Sequence, residues 1–270
     1  TTDSALLAQV LTLPSETYLA EQMTVVDEDG IHAARCWVQR TLAERLRESL
    51  QTTCEALQGR KQAGYRMDAA AMGQRALKNV CLDYLMQLDD PDWRARCLAQ
   101  FHTADNMTDQ LGALAALAND DSPARDEALA AFYARWRHEA LVVDKWLSVQ
   151  AASRRPDTLE VVEHLMTHEA FNLRNPNKVR ALIGVFAQAN PVHFHAADYR
   201  GYTFLADRIL ELNSFNPQIA ARLIAAFTRW RQYDPARQQG MRNQLERILA
   251  APDLSPDVYE IATKSLGGES

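Results

Sequence analysis

The sequence is poor in the features that mark most functional classes. A net charge of −6 over 270 residues offers no basic field for nucleic acid, and there is no Lys/Arg-rich run or RNA-binding aromatic motif. No stretch approaches the ~20 consecutive apolar residues that span a bilayer, and no signal peptide is visible, so no membrane partner is expected. The four cysteines, Cys36, Cys54, Cys81 and Cys97, are spread without CxxC pairing. A zinc knuckle or a disulfide framework needs tighter clustering, and free, mostly buried thiols in a reducing cytoplasm are expected instead. Glycine totals only ten, and no Asn-Gly or Asp-Gly pair joins two alternating runs. MTVVDEDG (23–30) is the one short β-branched run before a turn, a weak strand signal. A G-x-S-x-G elbow, a P-loop and GxGxxG are all missing. What remains is a globular balance, 47% apolar and 24% charged, long enough for one large domain or two ordinary ones. The chain opens TTDSALLAQVL without an initiator Met, as a processed product or an excised piece of a longer protein would.

Proline, by contrast, is placed with purpose. Asp90-Pro91, Ser122-Pro123, Asn175-Pro176, Asn216-Pro217, Asp234-Pro235 and Ser255-Pro256 each set a capping residue directly before Pro. The cap side chain accepts a bond from a free N–H of the first turn, and proline at the first helical position gives up no bond. Each pair predicts a helix start. Apolar residues then recur at helical spacing, as in Val179, Leu182, Ile183, Phe186 and in Tyr202, Leu205, Ile209, Leu212,. The chain reads as all-α, with a dozen or more helices.

Two segments repeat. NPNKVRALIGVF (175–186) and NPQIAARLIAAF (216–227) share Asn-Pro, Leu-Ile and Phe at identical offsets, 41 residues apart, and Pro256 follows Pro217 by 39. HEAT and armadillo units have periods of about 40–47 residues, each a helix pair that cannot bury its apolar face alone. The expected architecture is a right-handed superhelix of antiparallel helix pairs, an armadillo- or HEAT-like solenoid over residues 1–270. LGALAALANDDSPARDEALAAF (111–132) reads as another helical hairpin about a polar turn.

Candidate chemistry is sparse. EHLMTHE (163–169) sets His164 and His168 four apart inside an expected helix, the spacing with which zinc proteases hold their metal. The glutamate that should follow the first histidine is replaced by Leu165, and the apolar stripe Leu159, Val162, Leu165, Met166 puts both histidines on the solvent side, so no metal site is expected. His138-Glu139 and His168-Glu169 lack the second histidine, with Val142 and Asn172 in its place. His193 and His195 alternate around Phe194 in a loop, where they serve as ligands, as a base, or simply in packing. WRARC, RWRHE and TRWRQ interleave tryptophan with arginine, the pattern of a buried ring beside exposed cations, or of a cation–π surface. One polar feature stands out. In the helix after Pro217 the core stripe is Ala220, Leu223, Ile224 and Phe227, and Gln218 and Arg222 share the opposite face. In the equivalent helix Arg180 flanks the stripe. Successive solenoid helices line one concave surface, so these three side chains either converge on a ligand or are solvated surface.

The stretches NMTDQLGALAAL (106–117), LVVDKWLSVQA (141–151), NPNKVRALIGVFAQANPVHFHAADYRGYTFLAD (175–207) and NPQIAARLIAAFTRWRQYDPARQQGMRNQLERI (216–248) resemble the C-terminal helical domain of bacterial aminopeptidase N, a zinc-dependent alanyl aminopeptidase of the gluzincin class. LTLPSE near the start and LSPDVYEIATKSL near the end fit the same domain. That family keeps its zinc on HExxH with a distant glutamate, and its substrate-amine site on a GAMEN-type motif. Both lie in an upstream domain, and neither occurs in this sequence. The resemblance therefore implies a part of the enzyme without a metal or catalytic residue of its own. It implies that the domain closes over the catalytic domain of the same polypeptide, limits access of peptide substrates to the chamber, and turns Arg180, Gln218 and Arg222 toward that chamber. The Gly-Gly-Glu-Ser ending departs from the family pattern. The contrasting expectation is a free-standing helical-repeat scaffold that binds a protein or peptide on its concave face.

Overall fold

The computed structural model describes residues 3–58 and 65–267. Among them it contains seventeen α-helical segments. In the first half these are α1 (Ser4–Leu11), α2 (Glu16–Ala20), α3 (Glu28–Arg45), α4 (Arg47–Gln58), α5 (Ala69–Met86), α6 (Pro91–Thr103), α7 (Met107–Leu117) and α8 (Pro123–Trp136). The second half continues with α9 (Ala140–Ala151), α10 (Thr158–Leu165), α11 (Pro176–Val179), α12 (Val185–Ala189), α13 (Pro191–Phe194), α14 (Arg200–Asn213), α15 (Pro217–Leu223), α16 (Pro235–Leu249) and α17 (Pro256–Gly267). All six cap-proline pairs open a helix. Asp90, Asn175, Asn216 and Asp234 accept backbone N–H bonds of the first turn, and Ser255 Oγ accepts from Val258 N at 3.3 Å. At the weak strand signal the described residues hold one isolated parallel bridge, Val26 to Tyr233. The DEDG that follows Val26 opens α3 instead of a hairpin, with Asp27 accepting from Gly30 N at 2.9 Å.

The chain divides into two compact units, Thr1–Ser15 with His32–Arg135, and Glu16–Ile31 with Trp136–Ser270. In the first, α5 is the central helix and packs on α1, α4, α6 and α7. A polar network fastens three of these helices. Lys78 of α5 pairs with the buried Asp109 of α7 at 2.7 Å, and Gln100 of α6 donates to Asn79 Oδ1 at 2.8 Å and to the Asp109 carbonyl at 3.1 Å. The same unit buries Leu82, Leu85, Leu114, Leu117, Phe101 and Phe132, all essentially inaccessible to solvent. The cysteines are free, and Cys54, Cys81 and Cys97 are buried. Burial pushes the Cys54 thiol up to about 12 and Cys81 to about 11, so both stay protonated and unreactive.

The second unit is built of helices that pack on the next and the next but one. α14 meets α15 and α16, while α17 meets α15 and α16. Alternate helices thus stack in two layers, as armadillo-type repeats do. The two repeated segments share their buried positions: Val179, Leu182, Ile183 and Phe186 in one, Ala220, Leu223, Ile224 and Phe227 in the other. They differ in winding. The first widens to a π turn over Arg180–Gly184, and the second tightens to a 3₁₀ turn over Ile224–Phe227. At the π turn the Ala181 carbonyl accepts from Ser148 Oγ of α9 at 3.0 Å, and the neighbouring Lys178 pairs with Asp144 of α9 at 2.8 Å. Contacts with α9 thus hold a winding that hydrophobic spacing alone does not encode.

Candidate functional site

Gln218 and Arg222 come together as their i, i+4 spacing requires. Both are exposed on α15 and line an open depression of about 350 Å³ completed by Ala221 and by Asp257, Glu260 and Ile261 of α17. Glu260 is engaged by Lys264 at 2.5 Å, and that ammonium holds its carboxyl below the usual range. The side chains of Arg222, Gln218 and Asp257 make no hydrogen bond or ion pair with other described residues. The depression therefore presents a guanidinium, an amide and a carboxylate with their bonding capacity unspent. Such a set suits a peptide, which carries carbonyl acceptors and amide or ammonium donors.

Arg180 is not among the residues of this depression. It is exposed and stands at the start of the π turn. Its Nε donates to the Pro176 carbonyl at 3.2 Å and its Nη2 to Asn177 Oδ1 at 2.5 Å, so the guanidinium is folded back on its own helix. A larger groove of about 910 Å³, between the segment after α10 and α14, has Phe171 and Phe204 in its lining with Glu163, Asp198 and Asp207. Nothing in the spacing of those residues announced it, because the two segments meet only through the fold.

The histidines resolve individually. The helix carrying EHLMTHE ends at Leu165, so His168 does not share a helix face with His164, contrary to expectation. A turn follows, in which His168 Nδ1 accepts from Ala170 N at 3.0 Å while its ring lies 5.2 Å from that of Trp146. His195 is fully internal. Its Nδ1 lies 2.8 Å from the Tyr202 hydroxyl and its Nε2 3.0 Å from that of Tyr233. Burial, aided by the Arg237 cation, lowers it to about 3, so at neutral pH it is an uncharged link in a network, too weakly basic to act as a base. The network continues to Glu28, 3.1 Å from the Tyr233 hydroxyl, and Arg237 beneath it donates to the His195 carbonyl at 2.8 Å and pairs with Asp29 and Asp234. His193 sits beside it, half-buried. Sequence inspection singled out His195 but not this assembly, because Glu28 and Tyr233 are 205 residues apart. Arg96 lies over Trp93 at 4.8 Å and Arg231 over Trp230 at 4.4 Å, each ring buried, as a buried ring beside an exposed cation requires.

Among the described residues no three His, Cys, Asp or Glu side chains gather as a metal-binding group. The side chains described there do not fit a resident zinc, and among the described residues no helix is long and apolar enough to cross a membrane. What the fold and the depression define is an armadillo-type helical-repeat domain with an unpaired polar face.

Residues 1–267 match a family model described as a domain of unknown function with ARM repeats (DUF3458_C), and the chain belongs to that family, the C-terminal domain of aminopeptidase N. It is 42% identical over 267 residues to aminopeptidase N of Caulobacter vibrioides and 40% identical over 264 residues to that of Escherichia coli. Each alignment takes in 98% of this chain and 30% of the relative, so the chain spans about a third of the proteins it matches. The crystal structure of Legionella pneumophila aminopeptidase A in complex with aspartic acid superposes on 98% of the chain and 32% of its own, with a TM-score of 0.89 at 34% identity.

Proposed function

We propose that this chain is the non-catalytic, C-terminal part of a cytoplasmic, zinc-dependent aminopeptidase that removes residues from the N-termini of peptides. In this reading residues 1–270 form one functional domain that caps the active site of a catalytic domain in the same polypeptide, limits which substrates enter, and lines the chamber with Arg180, Gln218 and Arg222. The observation that carries the reading is the alignment of 98% of the chain within 30% of aminopeptidase N. The unpaired Arg222, Gln218 and Asp257 support the lining role. When bound, the metal would activate water and polarise the scissile carbonyl, on ligands outside this sequence. The residues of this chain would bind and orient: Arg222 and Gln218 donating to carbonyls or the terminal carboxylate of a peptide, Asp257 accepting from its N–H groups.

Groups distant from the scissile bond act on binding more than on chemistry. In the longer polypeptide, Arg222→Ala should raise KM for tri- and tetrapeptides about tenfold, which corresponds to ~1.4 kcal/mol, and should spare kcat. Single-residue anilide substrates should change less. Folding should be unaltered within ~0.5 kcal/mol, as for an exposed side chain opposite a core stripe. Peptide kinetics identical to the parent's would remove Arg222 from the site. A reading frame without an upstream HExxH would favour a free-standing peptide-binding scaffold.

A further inference from the structure

The groove of about 910 Å³ beside α14 has no part in the proposed function, and it shares no lining residue with the depression on α15 and α17. On α14 it is lined by Arg200, Thr203, Phe204, Asp207, Arg208 and Glu211, which spacings of three and four set in one stripe. From Arg200 to Glu211, at 1.5 Å per residue, that stripe is about 16 Å long. The apolar part of the lining is made by Phe204 and Phe171, both largely buried, with Met166 and Leu173 half-buried beside them. The Phe204 ring is held edge-on by Phe186 at 5.7 Å, so the apolar surface is in place before a ligand arrives. The rim is acidic. Of the seven charged side chains that line the groove five are carboxylates, and both cations are already engaged. Arg200 pairs with Glu160 at 2.6 Å, and Arg208 pairs with Glu211 at 3.0 Å while lying over the Phe204 ring at 5.9 Å. Glu163 has only a contact of 3.8 Å to Arg200. Asp198 makes no ion pair with a described residue, and one of its oxygens accepts from the Arg200 N–H at 3.1 Å. Two exposed carboxylates thus stand almost uncompensated beside an aromatic surface.

We propose that this groove binds an extended, cationic segment of peptide in which basic residues alternate with bulky apolar ones. Each half of that chemistry is required. A hydrated cation with no apolar part gains little from exposed carboxylates, because such pairs are weak in water and screened by salt. An apolar chain without cations would cover Glu163 and Asp198 and leave them desolvated and unpaired. A chain with both lays rings and lysine stems on Phe171 and Phe204 and carries its charged heads to the carboxylates. An extended peptide advances about 3.3 Å per residue, so about five residues cover the stripe on α14. The free N-terminus of the peptide has no role in such docking, which sets this site apart from one that holds an aminopeptidase substrate.

Isothermal titration calorimetry on the 270-residue chain tests this with acetyl-Lys-Phe-Lys-Phe-Lys-amide, whose blocked terminus keeps it from being an aminopeptidase substrate. It should bind at one site, at least tenfold more tightly than acetyl-Lys-Gly-Lys-Gly-Lys-amide, acetyl-Glu-Phe-Glu-Phe-Glu-amide or spermine. Glu163→Gln/Asp198→Asn should weaken it at least fivefold, and an asparagine at 198 still accepts from the Arg200 N–H, so α14 keeps its start. Thr203→Lys sets an ammonium in the groove and, as an independent variant at an exposed position, should weaken the peptide at least tenfold. Glu44→Gln/Glu246→Gln removes the same charge from exposed residues outside the groove and should leave the affinity unaltered. Circular dichroism reports retained helix in each variant. Equal affinity for the phenylalanine and glycine peptides would reduce the effect to bulk attraction by a chain of net charge −6 and would overturn the proposal. So would spermine binding as tightly as the peptide, since the groove would then be a polyamine site. Absence of saturable binding, or binding unchanged in both groove variants, would likewise end it.

Discussion

At the scale of single residues, the most consequential group is one whose position in the sequence looks ordinary. Glu28 stands at the start of α3, only 3% exposed, with Oε1 on the Tyr233 hydroxyl. Desolvation raises its carboxyl from 4.5 to about 7, Glu16 and Asp29 adding to the rise while the Tyr233 hydrogen bond and Arg237 oppose it. A carboxyl raised in the folded state contributes stability that is complete below pH 4.5 and lost as pH rises through about 7. His195 works in the opposite sense. Held neutral down to about pH 3, it contributes stability that is complete above 6.5 and lost as pH falls toward 3. The two overlap between 4.5 and 6.5 and partly cancel, so the wild-type profile alone hides both. Glu28→Gln should separate them: its unfolding free energy minus that of the parent should grow between pH 4.5 and 7, by on the order of 3 kcal/mol. Denaturant melts of the two proteins across that range provide the check, and a flat difference would mean that Glu28 titrates normally. Tyr233→Phe leaves both Glu28 and His195 short of a partner and should cost about 1–3 kcal/mol at any pH in that range.

At the scale of elements, caps and close approaches set the stability. Asn216 accepts from Ile219 N at the head of α15, and Asn216→Ala should lower stability by about 1 kcal/mol, the usual worth of such a cap. Two glycines predict opposite outcomes. A Cβ on Gly201, in the first turn of α14, would stand 2.5 Å from the Phe194 carbonyl oxygen. Backbone cannot yield as a side chain can, so Gly201→Ala should cost about 1–3 kcal/mol. A Cβ on Gly184 at the end of the π turn meets nothing nearer than 3.8 Å, and Gly184→Ala should stabilise by up to ~1 kcal/mol. Thermal unfolding of the pair should shift in opposite directions. Helix starts and buried stripes were legible in the sequence, since a cap-proline pair and an apolar period act over one or two turns. The end of α10 was not. The apolar stripe runs on through Met166, yet the helix stops at Leu165, and the turn beyond is held by His168 accepting from Ala170 N and lying against Trp146.

At the scale of the molecule, the isolated chain should hold less than stoichiometric zinc and leave alanine anilides uncleaved. A three-ligand set beside a general base is needed for both, and the histidines are dispersed among separate partners. One tightly held zinc per chain by metal analysis, lost on replacing His164 and His168, would refute this. The sequence by itself determined the all-α class, the helix starts and the core face of each repeat, because these depend on spacings of one to four residues. It also brought Gln218 and Arg222 to one face, since i and i+4 are neighbours on any α-helix. Tertiary structure decided the rest. It alone set Asp257 of α17 beside Gln218 and Arg222, folded Arg180 back on its own turn, and joined Glu28, Tyr233 and His195 across 205 residues of chain. It also wound the two repeated segments differently, one opened to a π turn against α9 and the other tightened to a 3₁₀ turn. The reason is the range of the forces. Capping and amphipathic burial are read from a local pattern, whereas the pairing of buried polar groups depends on which distant segments the packed core brings together.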